Sequence, residues 1–205
     1  MFGRPRFPAA KKKKSGKKAA GKTAESELEA ALRQVPGCEF SWDFNPAGAI
    51  PKEKLPGDRI ATVLFTGTFP GLSIVFDAKE ITLPTCRFDM VRYEPIQRLS
   101  AHRNIKSGGA GMLFLQLLET DAIGRARPEK TRAWLTSYQA FELLRSTLGR
   151  KSIPLGDADR PTPLIEAKKR KFPNGIETWD LEQALWDCWQ ESLGMPNPNP
   201  RDIEV

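Results

Sequence analysis

The triplet Asp77-Ala78-Lys79 closes an apolar run, Leu72-Ser73-Ile74-Val75-Phe76, that reads as a β-strand. Side chains alternate across a strand, so Asp77 and Lys79 share one face while Ala78 turns into the packing. A carboxylate so placed can hold Mg²⁺ through oxygen, and the neighbouring ammonium can steer a water or stabilise developing phosphate charge. Phosphodiester cleavage needs both tasks. A strand-end ion pair is the bland alternative for the same two residues. The spacing recurs at Glu166-Ala167-Lys168, but that copy follows Pro161 and Pro163, runs into Lys169-Arg170-Lys171 and has no strand signal before it. Asp77 and Lys79 are therefore the candidate catalytic pair.

The elements around this pair are legible in outline. A helix is expected from Thr23, as N-cap, through Glu25, Leu28, Ala31 and Leu32 toward Gln34, stopped by Pro36-Gly37. Cys38–Gly57 reads as irregular or weak strand. Ile60–Thr66 and Leu72–Lys79 form a hairpin-like pair around Gly67-Thr68-Phe69-Pro70-Gly71. Pro95 suits the first turn of a helix bearing Ile96, Gln97, Leu99 and His102. Gly108-Gly109 precede a buried strand at Met112–Leu118. A strand near Arg132–Thr136 leads to a helix from Ser137 to Leu148, ended by Gly149. Lys151–Gly175 reads as a connector rich in Pro and charge. Thr178 is expected to cap a last helix closed by Gly194, whose Trp179, Trp186 and Trp189 suit packing better than base stacking.

Taken together, these pieces resemble the RecU-type Holliday junction resolvases, within the PD-(D/E)xK nuclease superfamily. The resemblance is carried by Gly21 through Glu25 opening the first helix, Gly67 and Gly71 flanking the turn, and Phe76-Asp77-Ala78-Lys79-Glu80. Gln97 on the following helix and Gly108-Gly109 before the apolar strand complete it. It spans roughly Gly21 to Leu148. It implies an α/β fold with a mixed central β-sheet flanked by helices, restriction-endonuclease-like. It also implies a Mg²⁺ (or Mn²⁺) cofactor, branched DNA as substrate and a homodimer matching the two-fold junction. Gln97 would then face the active site, and Glu25 would be an auxiliary metal or water-positioning acid, or else a solvated residue of an acidic helix start. The family's metal-binding Asp stands three residues before the glycine matching Gly67, and here that position is Leu64. Asp58, in Pro56-Gly57-Asp58, is the nearest earlier acid, and Asp43 is another; one of them takes the role, or the ligand is lost.

Charge is placed unevenly. The chain carries a formal +7, yet nine of its 32 basic side chains lie within residues 1–22, which hold no acid; the other 183 residues have 23 basic and 25 acidic groups. Lys11, Lys12, Lys13, Lys14, Lys17, Lys18 and Lys22 form an arm with little to bury, expected to be disordered when free and suited to phosphate contact through counterion release. The domain reading is an arm at 1–22, a nuclease-like domain at 23–150, a connector at 151–177 and a helix with tail at 178–205. Cys38, Cys86 and Cys188 lack metal or disulfide spacing, and the single His102 rules out a multi-histidine site. No run is long and apolar enough to span a bilayer and no signal-type segment opens the chain, so a soluble cytoplasmic protein is expected. Two other classes fit the sequence: a catalytically inactive DNA-binding protein on the same fold, favoured by Leu64, and an interaction protein whose basic tail meets an acidic partner.

Overall fold

The computed structural model describes residues 22–41, 59–65, 69–82, 87–93, 95–119, 130–147, 151–155 and 164–196. The chain is α/β. A seven-stranded mixed sheet carries helices on both faces, with strands in the order β1-β2-β3-β5-β6-β8-β9. These are β1 (Cys38–Ser41), β2 (Arg59–Phe65), β3 (Phe69–Thr82), β5 (Ala110–Leu118), β6 (Arg132–Ser137), β8 (Ile165–Lys171) and β9 (Glu177–Asp180). A separate two-stranded sheet pairs β4 (Arg87–Asp89) with β7 (Ser152–Pro154). The helices are α1 (Lys22–Leu32), α2 (Pro95–Lys106), α3 (Tyr138–Thr147) and α4 (Glu182–Leu193). Among the described residues no helix is long and apolar enough to cross a membrane.

Alternation along β3 divides the core in two. Leu72, Ile74, Phe76 and Ala78 join one cluster with Leu28 and Leu32 of α1 and Leu185 and Trp189 of α4. Ile81 of β3, Leu113 and Leu115 of β5 and Trp134 of β6 join the other, with Ala101 of α2 and Phe141 of α3. β5 is buried almost throughout because both its faces are covered, which explains a near-continuous apolar run in place of alternation.

β2 and β3 are antiparallel, as expected, while β3 and β5 are parallel. A parallel pair needs a crossover, and α2 provides it. The hairpin is longer than its sequence suggested. β3 already begins at Phe69, which pairs with Phe65 after a register shift, so Pro70 and Gly71 belong to the strand. Pro70 falls where the β2–β3 register shifts, between the Phe65–Phe69 and Val63–Leu72 pairs, and before β3 meets β5 at Ile74, the irregular edge setting in which a strand tolerates proline.

α2 is seated by specific contacts. Gly108 adopts φ 85° and closes the helix, its N–H donating to the Ile105 carbonyl at 3.0 Å. Asn104 Nδ2 donates to the Ser73 carbonyl at 3.0 Å and to the Ala110 carbonyl at 2.7 Å, clamping the helix end to β3 and β5. A Cβ on Gly111 would lie 2.5 Å from that of Ala101, so only glycine lets α2 come this close.

Three expectations for the C-terminal region are corrected. The supposed connector contains β7 and β8, and β8 pairs with both β6 and β9. Glu166-Ala167-Lys168 thus lies on a strand after all. Thr178 sits in β9 and does not cap the last helix, whose N-cap is Leu181 and whose C-cap is Gly194. α4 shares its core cluster with α1. At the other end α1 starts at Lys22, one residue before the expected cap Thr23.

Candidate active site

Asp77 lies on β3, between β2 and β5 in the sheet order, pairs with Leu113 of β5 and stands one residue past the Arg59–Phe76 pair with β2. Its side chain is buried, 1% exposed, and turns toward α2 while Phe76 and Ala78 face α1 and α4. Gln97 lies in the first turn of α2, directly above. Its Nε2 donates to Asp77 Oδ1 at 3.0 Å. Lys79, one pleat further along the same face, brings Nζ within 2.9 Å of Asp77 Oδ2 and donates to Gln97 Oε1 at 3.2 Å. The three side chains close a triangle in which each touches the other two. Only one amide orientation of Gln97 lets it donate to the carboxylate and accept from the ammonium.

Burial makes this arrangement consequential. Two charges withdrawn from water cost several kcal/mol each unless they are paired and hydrogen-bonded, and the triangle does both. Lys79 retains 14% side-chain exposure, so the ammonium is the member that faces solvent. The charge of Asp77 reaches further. Tyr93 has its phenol held well above the usual range, first by burial and then by the negative charge of Asp77. The ring of Tyr93 packs edge-on against Phe141 at 5.0 Å.

A second charged layer lies behind the first. Arg98, next to Gln97, binds Glu142 of α3 through two nitrogens, at 2.5 and 2.8 Å, and both side chains are buried. Arg145 adds a bond to Glu142 at 3.1 Å. This fork ties α2 to α3 and so fixes the helix that carries Gln97. Neither Arg98 nor Glu142 was singled out in the sequence. The available signal was an acid inside the apolar stripe of α3, where burial demands a partner.

The other expected site residues fall as follows. Glu25 is half-buried on α1, whose inner residues pack on the face of the sheet opposite Gln97. Leu64 lies near the hairpin end of β2, beside Val63, which pairs with Leu72, five residues before Asp77. At about 3.3 Å per residue, that places position 64 more than 15 Å along the ladder from Asp77. An acid at position 64 would be remote from Asp77 in this register. The β2 residue nearest Asp77 is Arg59, which pairs with Phe76. Arg59 directly follows Asp58 in the chain, just as Asp77 directly follows Phe76. Asp58 and Asp43 lie outside the described residues, as do Lys11, Lys12, Lys13, Lys14, Lys17 and Lys18 of the arm; Lys22 opens α1.

Among the described residues no group of three or more His, Cys, Asp or Glu side chains is arranged to hold a metal ion. What the site offers is one buried carboxylate and one side-chain amide oxygen, both hard-oxygen donors, beside an ammonium. Among the described residues the two cysteines, Cys38 and Cys188, form no disulfide. Burial pushes the Cys38 thiol up to about 11 and raises Cys188 further still. No protein-family model matches the chain, and no curated protein matches it.

Proposed function

We propose that the chain is a divalent-metal-dependent endonuclease of restriction-endonuclease-like fold that cuts branched DNA, in the manner of the RecU-type resolvases. The observation that carries the reading is the triangle of Asp77, Lys79 and Gln97. It joins on one face of the sheet three of the residues expected to be catalytic. The order of a hairpin, a helix bearing Gln97 and a buried strand supports it further. So does the ladder that sets Arg59 against Phe76, which makes Asp58 rather than Leu64 the acid to test as partner of Asp77.

In this reading Asp77 would hold Mg²⁺ or Mn²⁺ together with Asp58, since Glu25 belongs to the helix on the opposite face of the sheet. Such a metal, when bound, would supply phosphate charge neutralisation and water activation. Lys79 stabilises charge developing on the scissile phosphate, and Gln97 fixes the carboxylate and the ammonium relative to each other. The arm at residues 1–22 supplies affinity for the backbone without sequence information. A two-fold homodimer would present one site to each of the paired strands of a four-way junction, and a cytoplasmic protein would meet such DNA directly.

The test is to incubate the protein with a labelled four-way junction and a matching linear duplex, in Mg²⁺ and in chelator. Metal-dependent cleavage of the junction is the expected result. A non-catalytic junction-binding protein is the second reading, favoured by the engagement of both Asp77 oxygens by neighbouring side chains. Tight junction binding without cleavage in Mg²⁺ or Mn²⁺ would select it.

A further inference from the structure

The sheet ends in a ribbon that the expected active site does not use. β8 and β9 are joined by a turn at Phe172–Ile176, in which the N–H of Phe172 donates to the Ile176 carbonyl at 2.8 Å. β8 pairs with β6 only from Ile165 to Ala167. Beyond that point Lys168, Lys169, Arg170 and Lys171 follow one another, all exposed, paired only with β9. Four consecutive basic residues on a two-stranded ribbon place positive charge on both of its faces.

The ladders fix how this ribbon relates to Asp77. Lys79 pairs with Leu115, Leu115 with Trp134 and Trp134 with Glu166. Paired residues share a face, so Glu166 lies on the face of Lys79, and Lys168 and Arg170 continue that face past the end of β6. Three strand spacings of about 4.8 Å and two residues of rise put Lys168 roughly 16 Å from Lys79. Phosphates a few nucleotides apart on a duplex are separated by about this distance. Local partners account for only part of the charge. Arg170 pairs with Asp180 at 3.1 Å, and Lys169 lies over the Trp179 ring at 5.0 Å. Lys168 and Lys171 have no ion-pair partner among the described residues.

We infer that the β8–β9 ribbon is a second DNA-binding element, separate from the basic arm, with Lys168 contacting a backbone phosphate of a duplex held against the Asp77 face. The inference rests on the nucleic-acid reading above and assigns a function to a region outside the stretch that resembles the resolvases. An acidic polypeptide is the competing partner for the same charges.

The test measures affinity of the full chain for a four-way junction across a salt series in chelator, so that binding is read without cleavage. The variant Lys168→Gln leaves the pairs of Lys169 and Arg170 in place. One lost phosphate contact should lower the slope of log affinity against log salt by about 0.9. Lys168→Arg should restore the wild-type slope, which a folding defect would not allow. A glutamine variant with the wild-type slope would overturn the ribbon and leave the nucleic-acid reading standing. Wild-type protein that binds no DNA would overturn both. A glutamine variant weakened for poly-glutamate but not for the junction would assign the ribbon to an acidic polypeptide instead.

Discussion

The chain carries the same triplet twice, on two strands of one sheet. Asp77-Ala78-Lys79 lies on β3 and Glu166-Ala167-Lys168 on β8. Both bury their alanine in the same core cluster. Both turn the flanking charges to the opposite face, and Lys79 and Glu166 even stand in register across β5 and β6. Their surroundings differ. Asp77 is sealed under α2, with Gln97 donating to one oxygen and Lys79 beside the other. Glu166 is 35% exposed and meets Arg132 at 3.0 Å, while Lys168 points to solvent. Charges in water interact weakly, whereas a desolvated pair held by an amide keeps a fixed geometry and a strong local field. Chemistry at a strand therefore depends on the helix laid over it as much as on the triplet.

The largest expected difference is kinetic. Lys79→Ala should slow junction cleavage by about 10²–10³-fold, the usual loss when one preorganised charge-stabilising donor is removed. Lys168→Ala should cleave at the wild-type rate once the junction is saturated. Single-turnover rates at high protein concentration read the contrast.

Next comes stability. Arg98→Ala leaves Glu142 buried beside Arg145 alone and should cost about 3–5 kcal/mol in urea unfolding. Arg132→Ala breaks the exposed pair with Glu166 and uncovers Trp134, and should cost about 1–2 kcal/mol. Equal losses would mean that the buried and the exposed charge pairs are not electrostatically distinct. Gln97→Ala is intermediate. It withdraws the donor to Asp77 Oδ1, at about 1–3 kcal/mol, and should lower cleavage without changing junction affinity.

The smallest effect concerns pH. His102 on α2 is buried, neither ring nitrogen has a hydrogen-bond partner, and burial followed by Lys106 lowers its pKa. A histidine held neutral in the fold contributes stability above its unfolded value that is lost as pH falls through the folded one. His102→Leu should therefore flatten the decline of melting temperature below about pH 6.5, while Arg132→Ala should leave that decline unchanged.

How far the sequence carried depended on how local each signal was. The hairpin, α2 and β5 follow from apolar runs bounded by Gly and Pro, and the shared face of Asp77 and Lys79 follows from strand period alone. Gln97 was accessible only through resemblance. β8 and β9 were missed because Lys168–Lys171 reads as a solvated charge run and the prolines before it suggest a connector. Their strand character comes from pairing: Ala167 and Trp179 reach the core, and β6 accepts β8 as a neighbour. Arg98 and Glu142 are 44 residues apart and meet only once α2 and α3 lie on the same face. No local pattern encodes that contact.

The comparison of the two triplets is tested most directly by single-turnover cleavage of a four-way junction in Mg²⁺ by Asp77→Asn and Glu166→Gln beside the wild type. Asp77→Asn should bind the junction and cut nothing, while Glu166→Gln should cut like the wild type. Cleavage that survives Asp77→Asn, or that disappears with Glu166→Gln, would contradict the assignment of the catalytic site to β3.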